Sequence, residues 1–299
     1  MRIYILCASL LLASCAIPPK LGDVGPVRAF AYKSWHEVTV NLPEKDGYDS
    51  PVFLSCYNTT NHRHEGDVAM AVLSYKFALM ASNSYHSETT FSIPNWTPTK
   101  HYRGDRAGNY EVGFQADQYD NETAKEIALV FRGTDIGSVD NKANFAMWWP
   151  WSDARAPAQY QFAQNIAETI RSEKPNYKII LVGHSLGGGL AFHASWNIAN
   201  SETYAFDPSP RVWASGDPKP GNRYVVREHG EILEYVQFWN SLPANKEAAF
   251  DFVAGDPVRE HNMYYLARGL LLMAAQNGDA EAKTIMDINL DCASYGGTP

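Results

Sequence analysis

One stretch constrains this chain more than any other: Lys178-Ile179-Ile180-Leu181-Val182-Gly183-His184-Ser185-Leu186-Gly187-Gly188. An apolar run ends in Gly-x-Ser-x-Gly and passes at once into a small-residue helical pattern. The order predicts a nucleophile elbow, in which a buried strand turns sharply into a helix and holds a serine at the tip. A bare Gly-x-Ser-x-Gly is a weak signal. The strand before it (Lys178 to Val182) and the helix after it (Leu186 to Ile198) make it specific. The turn strains the dihedrals of Ser185, and Gly183 and Gly187 clear the space beside it. The helix N-terminus behind Ser185 offers unpaired N–H groups and a positive dipole end to a developing oxyanion.

The rest of the chain reads as one α/β unit around that turn. A helix is expected over Asp67 to Ser84, apolar on most faces and hence buried. Thr90 to Thr99, with two prolines, reads as irregular. Asn109 to Asp117 alternates as a strand, Asp120 to Glu122 reads as a turn, and Glu126 to Phe131 reads as a buried strand completing a hairpin. Ala156 to Glu173 is an amphipathic helix with Tyr160, Ala163, Ile166, Ala167 and Ile170 on its apolar face. Thr203 to Phe206 reads as a short strand ending in Asp207-Pro208. Tyr224 to Arg227 and Glu231 to Phe238 read as a second hairpin about His229-Gly230. A closing helix from Asn262 to Ala275 stops at Asn277-Gly278. Strand Trp35 to Leu42 precedes all of these. The order predicts a mainly parallel central sheet with helices on both faces.

The N-terminus has its own message. Arg2 and the apolar run Ile3 to Leu12 have signal-peptide form, and the run is too short to span a bilayer. Leu12-Ala13-Ser14-Cys15 resembles the bacterial lipobox. That resemblance implies cleavage before Cys15, a lipidated Cys15 thiol and, with Ala16 next, a lipid anchor in the outer membrane of a bacterial envelope. The expected organisation is a signal peptide over 1–14, a tether over 15–27 and a hydrolase domain over 28–299. Cys56 and Cys292 then remain, as a disulfide in an oxidising compartment or as two buried thiols. The net charge of −8 argues against a nucleic-acid partner, which needs a basic face. No cysteine or histidine spacing suggests a zinc site, and no cofactor is implied. The tryptophans at 148, 149 and 151 either pack a long loop down or form an apolar rim over the site.

Four runs together resemble the α/β-hydrolase lipases, especially the class 3 (fungal-lipase-like) group. They are Phe131-Arg132-Gly133-Thr134 after a buried strand, the helix before the elbow strand, Gly183-His184-Ser185-Leu186-Gly187-Gly188, and Tyr204-Ala205-Phe206-Asp207-Pro208-Ser209-Pro210. The match spans residues 67–275. The resemblance implies an α/β-hydrolase fold and cleavage of carboxylic esters, with a lipid or small ester as substrate. It implies oxyanion donors at the backbone N–H groups of Thr134 and Leu186. Ser185 as nucleophile needs a histidine later in the chain. His193 lies too far along the elbow helix, and His229 sits in a turn. His261, after the last strand, is the expected base. For the acid, Asp207 is preferred because Phe206-Asp207-Pro208 resembles the acid site of pancreatic-type lipases. Asp256 is the alternative, in a run resembling the class 3 acid but without the long segment that normally separates it from the histidine. A non-catalytic binding lipoprotein on the same fold, or an acyltransferase, is the competing reading.

Overall fold

The computed structural model describes residues 27–31, 65–85, 91–104, 114–133, 158–210, 212–234, 242, 244–252 and 257–289. The signal peptide and tether, the Trp35–Leu42 strand, the tryptophan loop, Cys15, Cys56, Cys292, Thr134 and Asp256 lie outside the described residues.

Eight strands form one sheet in the order in which they occur in the chain. They are β1 (Val27–Ala31), β2 (Thr97–Gly104), β3 (Gln115–Asn121), β4 (Glu126–Phe131), β5 (Lys178–His184), β6 (Ser201–Phe206), β7 (Gly221–Glu228) and β8 (Lys246–Phe250). From β1 to β4 neighbours pair antiparallel. From β4 to β8 every pairing is parallel. Of the helices, α1 (Glu65–Asn83) lies between β1 and β2, α2 (Ala158–Glu173) and α3 (Leu186–Asn197) cross over between successive parallel strands, and α4 (Pro257–Glu260), α5 (Met263–Gln276) and α6 (Ala280–Asn289) follow β8. A parallel core entered by a strand–elbow–helix and covered on both faces is the α/β-hydrolase architecture expected above.

The alternation of side chains along β4 and β5 divides the interior in two. Ala128, Val130, Ile180 and Val182 face a core filled by α1, α5 and α6. Ile127, Leu129, Phe131, Ile179 and Leu181 face a second core under α2 and α3. Because both faces are covered, Ile127 to Phe131 is apolar without interruption, and all five side chains are buried. Each large side chain so buried contributes about 1.5–3 kcal/mol. At the opposite end of the strands from the elbow, Lys178 Nζ lies 3.0 Å from Glu202 and 3.7 Å from Glu126. These partly exposed pairs contribute little energy, but they match the register in which Lys178 faces Glu126.

Helix α1 is apolar nearly all round because it is sandwiched, with Met70, Ala71, Tyr75, Leu79 and Met80 buried. On α2, all five expected core positions are buried. The Asn262 side chain caps α5 by accepting the Tyr264 N–H at 3.0 Å. Gly278, at φ +95°, follows the Asn277 cap as expected.

Three expectations need correction. Thr97 to Gly104 is strand β2, not irregular chain. Its proline sits at the strand start, and the ladder shifts register between Pro98 and Lys100 to accommodate it. Strand β3 continues through Asp120 and Asn121, so the turn falls at 122–125. The segment opening at Glu231 is a turn rather than a returning strand, since β7 is already paired on both sides by parallel β6 and β8. Helix α6 and strand β1 were not anticipated. Among the described residues no helix is long and apolar enough to cross a membrane.

Candidate active site

Strand β5 ends at His184, and Ser185 turns the chain with φ 58° and ψ −125°. A residue with a Cβ holds that conformation only where the surroundings enforce it. Here four bonds do so. The Ser185 N–H donates to the Phe206 carbonyl at 3.0 Å, and its own carbonyl accepts from Ser209 N–H at 2.8 Å, Gly188 N–H at 3.0 Å and Gly189 N–H at 3.3 Å. The flanking glycines are required sterically. A Cβ on Gly183 would overlap the Gly187 carbonyl, and one on Gly187 would overlap the Phe131 carbonyl. Leu186 opens α3, where helix geometry leaves its N–H without an intrahelical acceptor.

The turn after β4 lies directly beside the serine. A Cβ on Gly133 would come within 3.0 Å of Ser185 Cβ and 2.5 Å of the His184 carbonyl. Its N–H donates to the Tyr85 hydroxyl at 3.0 Å, and the same hydroxyl lies 2.8 Å from His184 Nδ1. Tyr85, just after α1, therefore ties the Arg132-Gly133 turn to the elbow. Thr134, the expected oxyanion donor, is the next residue in sequence and lies outside the described residues.

His261 stands between α4 and α5, after β8, and is buried. Its ring centroid is 4.6 Å from that of His184. Its Nδ1 lies 2.8 Å from Glu231 Oε2, and Glu231 is fully buried. A carboxylate there favours the tautomer with hydrogen on Nδ1, leaving the Nε2 lone pair to take a proton. Glu231 is itself fixed. Its Oε2 also accepts the Leu233 N–H at 2.6 Å, and the Ile232 N–H donates to the Pro257 carbonyl at 3.0 Å. The carboxylate after β7 and the histidine after β8 thus meet beside the elbow that follows β5.

This corrects the preferred acid: the carboxylate at His261 Nδ1 belongs to Glu231, not Asp207. Asp207 follows β6 one strand too early, and its Oδ1 accepts the Glu228 N–H at 2.8 Å. Its Oδ2 lies 4.0 Å from His184 Nε2, and neither atom has a hydrogen-bond partner. Burial first, then the charges of Glu231 and Glu228, hold the Asp207 carboxyl well above the ordinary carboxylate range, with the Glu228 N–H and Arg227 opposing. Burial and then His261 hold the His184 ring well below the ordinary imidazole range, so it is neutral. Of the histidines set aside, His193 Nδ1 pairs with the Val212 carbonyl at 3.1 Å and His229 lies near Glu234 at 3.4 Å. Glu231 went unrecognised because its segment reads as a strand and the acid was sought among aspartates. Its position after the strand that follows β6 was the available signal.

Residues 86–209 match the model of the phospholipase-like family described as the Tle-like phospholipase domain. The chain is 29% identical over 124 residues to lipases of Rhizopus niveus and Rhizopus oryzae, a match covering 37% of this chain and 32% of each relative. The chain thus spans about a third of the length of the curated relatives it matches. Among solved structures, a triacylglycerol lipase of Penicillium expansum is similar at 14% identity and TM-score 0.43, over 62% of this chain and 80% of that one. The Lip2 lipase of Yarrowia lipolytica is similar at 17% identity and TM-score 0.43, over 64% and 81%. The matched region, residues 86–209, is the one that carries the elbow, and it is similar to a phospholipase-like domain and to fungal lipases.

Proposed function

We propose that this chain hydrolyses carboxylic esters of lipids through Ser185, His261 and Glu231, with Glu231 in the role first sought at Asp207. Ser185 Oγ attacks the acyl carbonyl while His261 Nε2 takes its proton. The imidazolium that forms is held by the Glu231 carboxylate at Nδ1. The oxyanion is held by the N–H groups of Leu186 and Thr134, each such donor contributing about 3–4 kcal/mol. His261 returns the proton to the departing alcohol, and water then releases the acyl group by the same steps in reverse. The carrying observation is the 2.8 Å contact of buried Glu231 with His261 Nδ1, in a histidine whose ring lies against that of the residue preceding the strained serine.

The similarity to a phospholipase-like domain and to lipases supports a glycerolipid substrate. The lipobox-like Leu12 to Cys15 supports a lipid anchor that keeps the domain in the bacterial cell envelope, at the outer membrane. A serine-reactive fluorophosphonate probe tests the chemistry: wild-type protein labels and Ser185→Ala does not. Absence of labelling, together with no fatty acid released from phosphatidylcholine or triacylglycerol, would return the chain to the reading of a non-catalytic lipid-binding protein.

A further inference from the structure

His184, Asp207 and His261 form a group that the proposed hydrolysis does not fully use. One ligand atom from each lies within 4.8 Å of the others, and among the described residues no other three such side chains meet this way. All three are buried, His184 at 4% and Asp207 at 0% exposure. His184 Nε2 and Asp207 Oδ2 face one another at 4.0 Å with no protein partner. Buried polar atoms are nearly always satisfied, so two such atoms face to face point to a third party between them.

We propose that this group is a binding site for a divalent transition metal ion of the Zn2+ class, and that its occupation blocks the serine. Two imidazole nitrogens and one carboxylate oxygen are the donor set such an ion prefers, whereas Mg2+ and Ca2+ prefer oxygen alone. Both rings are already oriented for it. Tyr85 engages His184 Nδ1 and Glu231 engages His261 Nδ1, each at 2.8 Å, which leaves both Nε2 atoms as the coordinating ones. A carboxylate behind a ligating histidine is the usual outer partner at such sites. Three carboxyl groups, those of Asp207, Glu228 and Glu231, are fully buried here, with the charge of Arg227 acting on Asp207 as the opposing cation. Ligand atoms on one tetrahedral ion lie about 3.4 Å apart, so side-chain shifts of roughly 1 Å close the set. Ser185 is itself buried, so any opening that admits an ester to it admits an ion as well.

The ion and the reaction compete for one lone pair. With His261 Nε2 bound to metal, nothing takes the proton of Ser185. The inhibition rests on the proposed hydrolase reading, whereas the binding does not. Full-length protein freed of metal with a chelator is titrated with Co2+, followed by its visible d–d absorption and by competition with Zn2+. One equivalent is expected to bind, and probe labelling of Ser185 is expected to fall in proportion and return with chelator. His184→Gln and Asp207→Asn are each expected to weaken Co2+ binding at least tenfold. Tyr85→Phe, which removes no ligand, is expected to weaken it by about 10–100-fold, as loss of an outer partner does. Unsaturable binding, or equal affinity in wild type and all three variants, overturns the site and leaves a bridging water between His184 and Asp207. Co2+ held at His184 and Asp207 in a protein whose Ser185 never labels upholds the site and sinks the hydrolase reading instead.

Discussion

Replacing Glu231 with glutamine separates the two candidate acids and measures what the carboxylate charge does. In the native site one oxygen, Oε2, accepts from both His261 Nδ1 at 2.8 Å and the Leu233 N–H at 2.6 Å. The backbone N–H of Leu233 can only donate, so it holds the glutamine oxygen, not its amide nitrogen, at that position. His261 therefore keeps the Nδ1–H tautomer in the variant, and what is lost is the negative charge beside the imidazolium. Two unit charges about 4 Å apart interact by about 4 kcal/mol at an effective dielectric constant of 20. At about 1.4 kcal/mol per decade, that is a fall in kcat of about 10³. This is smaller than the loss of about 10⁴ seen where an amide imposes the wrong tautomer in a serine triad. KM is expected to hold. Steady-state hydrolysis of a p-nitrophenyl ester across pH, on Glu231→Gln and Asp207→Asn in parallel, measures both. Retention of more than a tenth of kcat in Glu231→Gln, or an equal loss in Asp207→Asn, would refute the assignment.

Three further outcomes follow from the same geometry. Ser185→Gly is expected to be inactive yet about 1 kcal/mol more stable than Ser185→Ala, since glycine relieves strain that alanine retains at φ 58°; equal urea midpoints would show that the turn is unstrained. Tyr85→Phe removes the acceptor for the Gly133 N–H and the contact with His184, so kcat is expected to drop about tenfold with KM little changed, on the scale of one to two lost hydrogen bonds. A change confined to KM would place Tyr85 in substrate binding instead. Tyr75, Tyr102 and Tyr204 are all raised above the ordinary phenol value of 10.0, burial being the largest cause in each. A raised folded value means that their stability is fully present below pH 10 and is lost as pH climbs above it, by about 1.4 kcal/mol per pH unit for each phenol. Urea unfolding of Tyr204→Phe at rising alkaline pH should show a shallower decline than wild type, and parallel declines would contradict the burial argument.

Much of the fold was legible because the parallel strands and their helices carry strong local patterns. Glu126 to Phe131 and Lys178 to Val182 are uninterrupted apolar runs that only a doubly covered sheet tolerates. Helix α2 shows its buried face at helical spacing. The antiparallel half was harder to read. Strand β2 begins beside a proline and keeps its alternation only after a register shift, so its residues resemble a loop until β3 lies beside them.

The site divides along the same line. The elbow at Ser185 was determined by sequence alone, since its strain, its glycine clearances and the helix behind it are all local. The histidine to examine beside it was nearly so, because chain order and elimination leave few rivals to His261. The acid was not, because a carboxylate becomes the partner of a histidine through proximity across strands, and proximity leaves no local pattern. Asp207 has the more suggestive neighbours in sequence, yet β6 aims it at His184 and at the Glu228 N–H. Glu231 has an unremarkable setting, yet the turn after β7 brings it to Nδ1. The elbow follows from a few consecutive residues, while the carboxylate that meets His261 depends on which strand lies beside which.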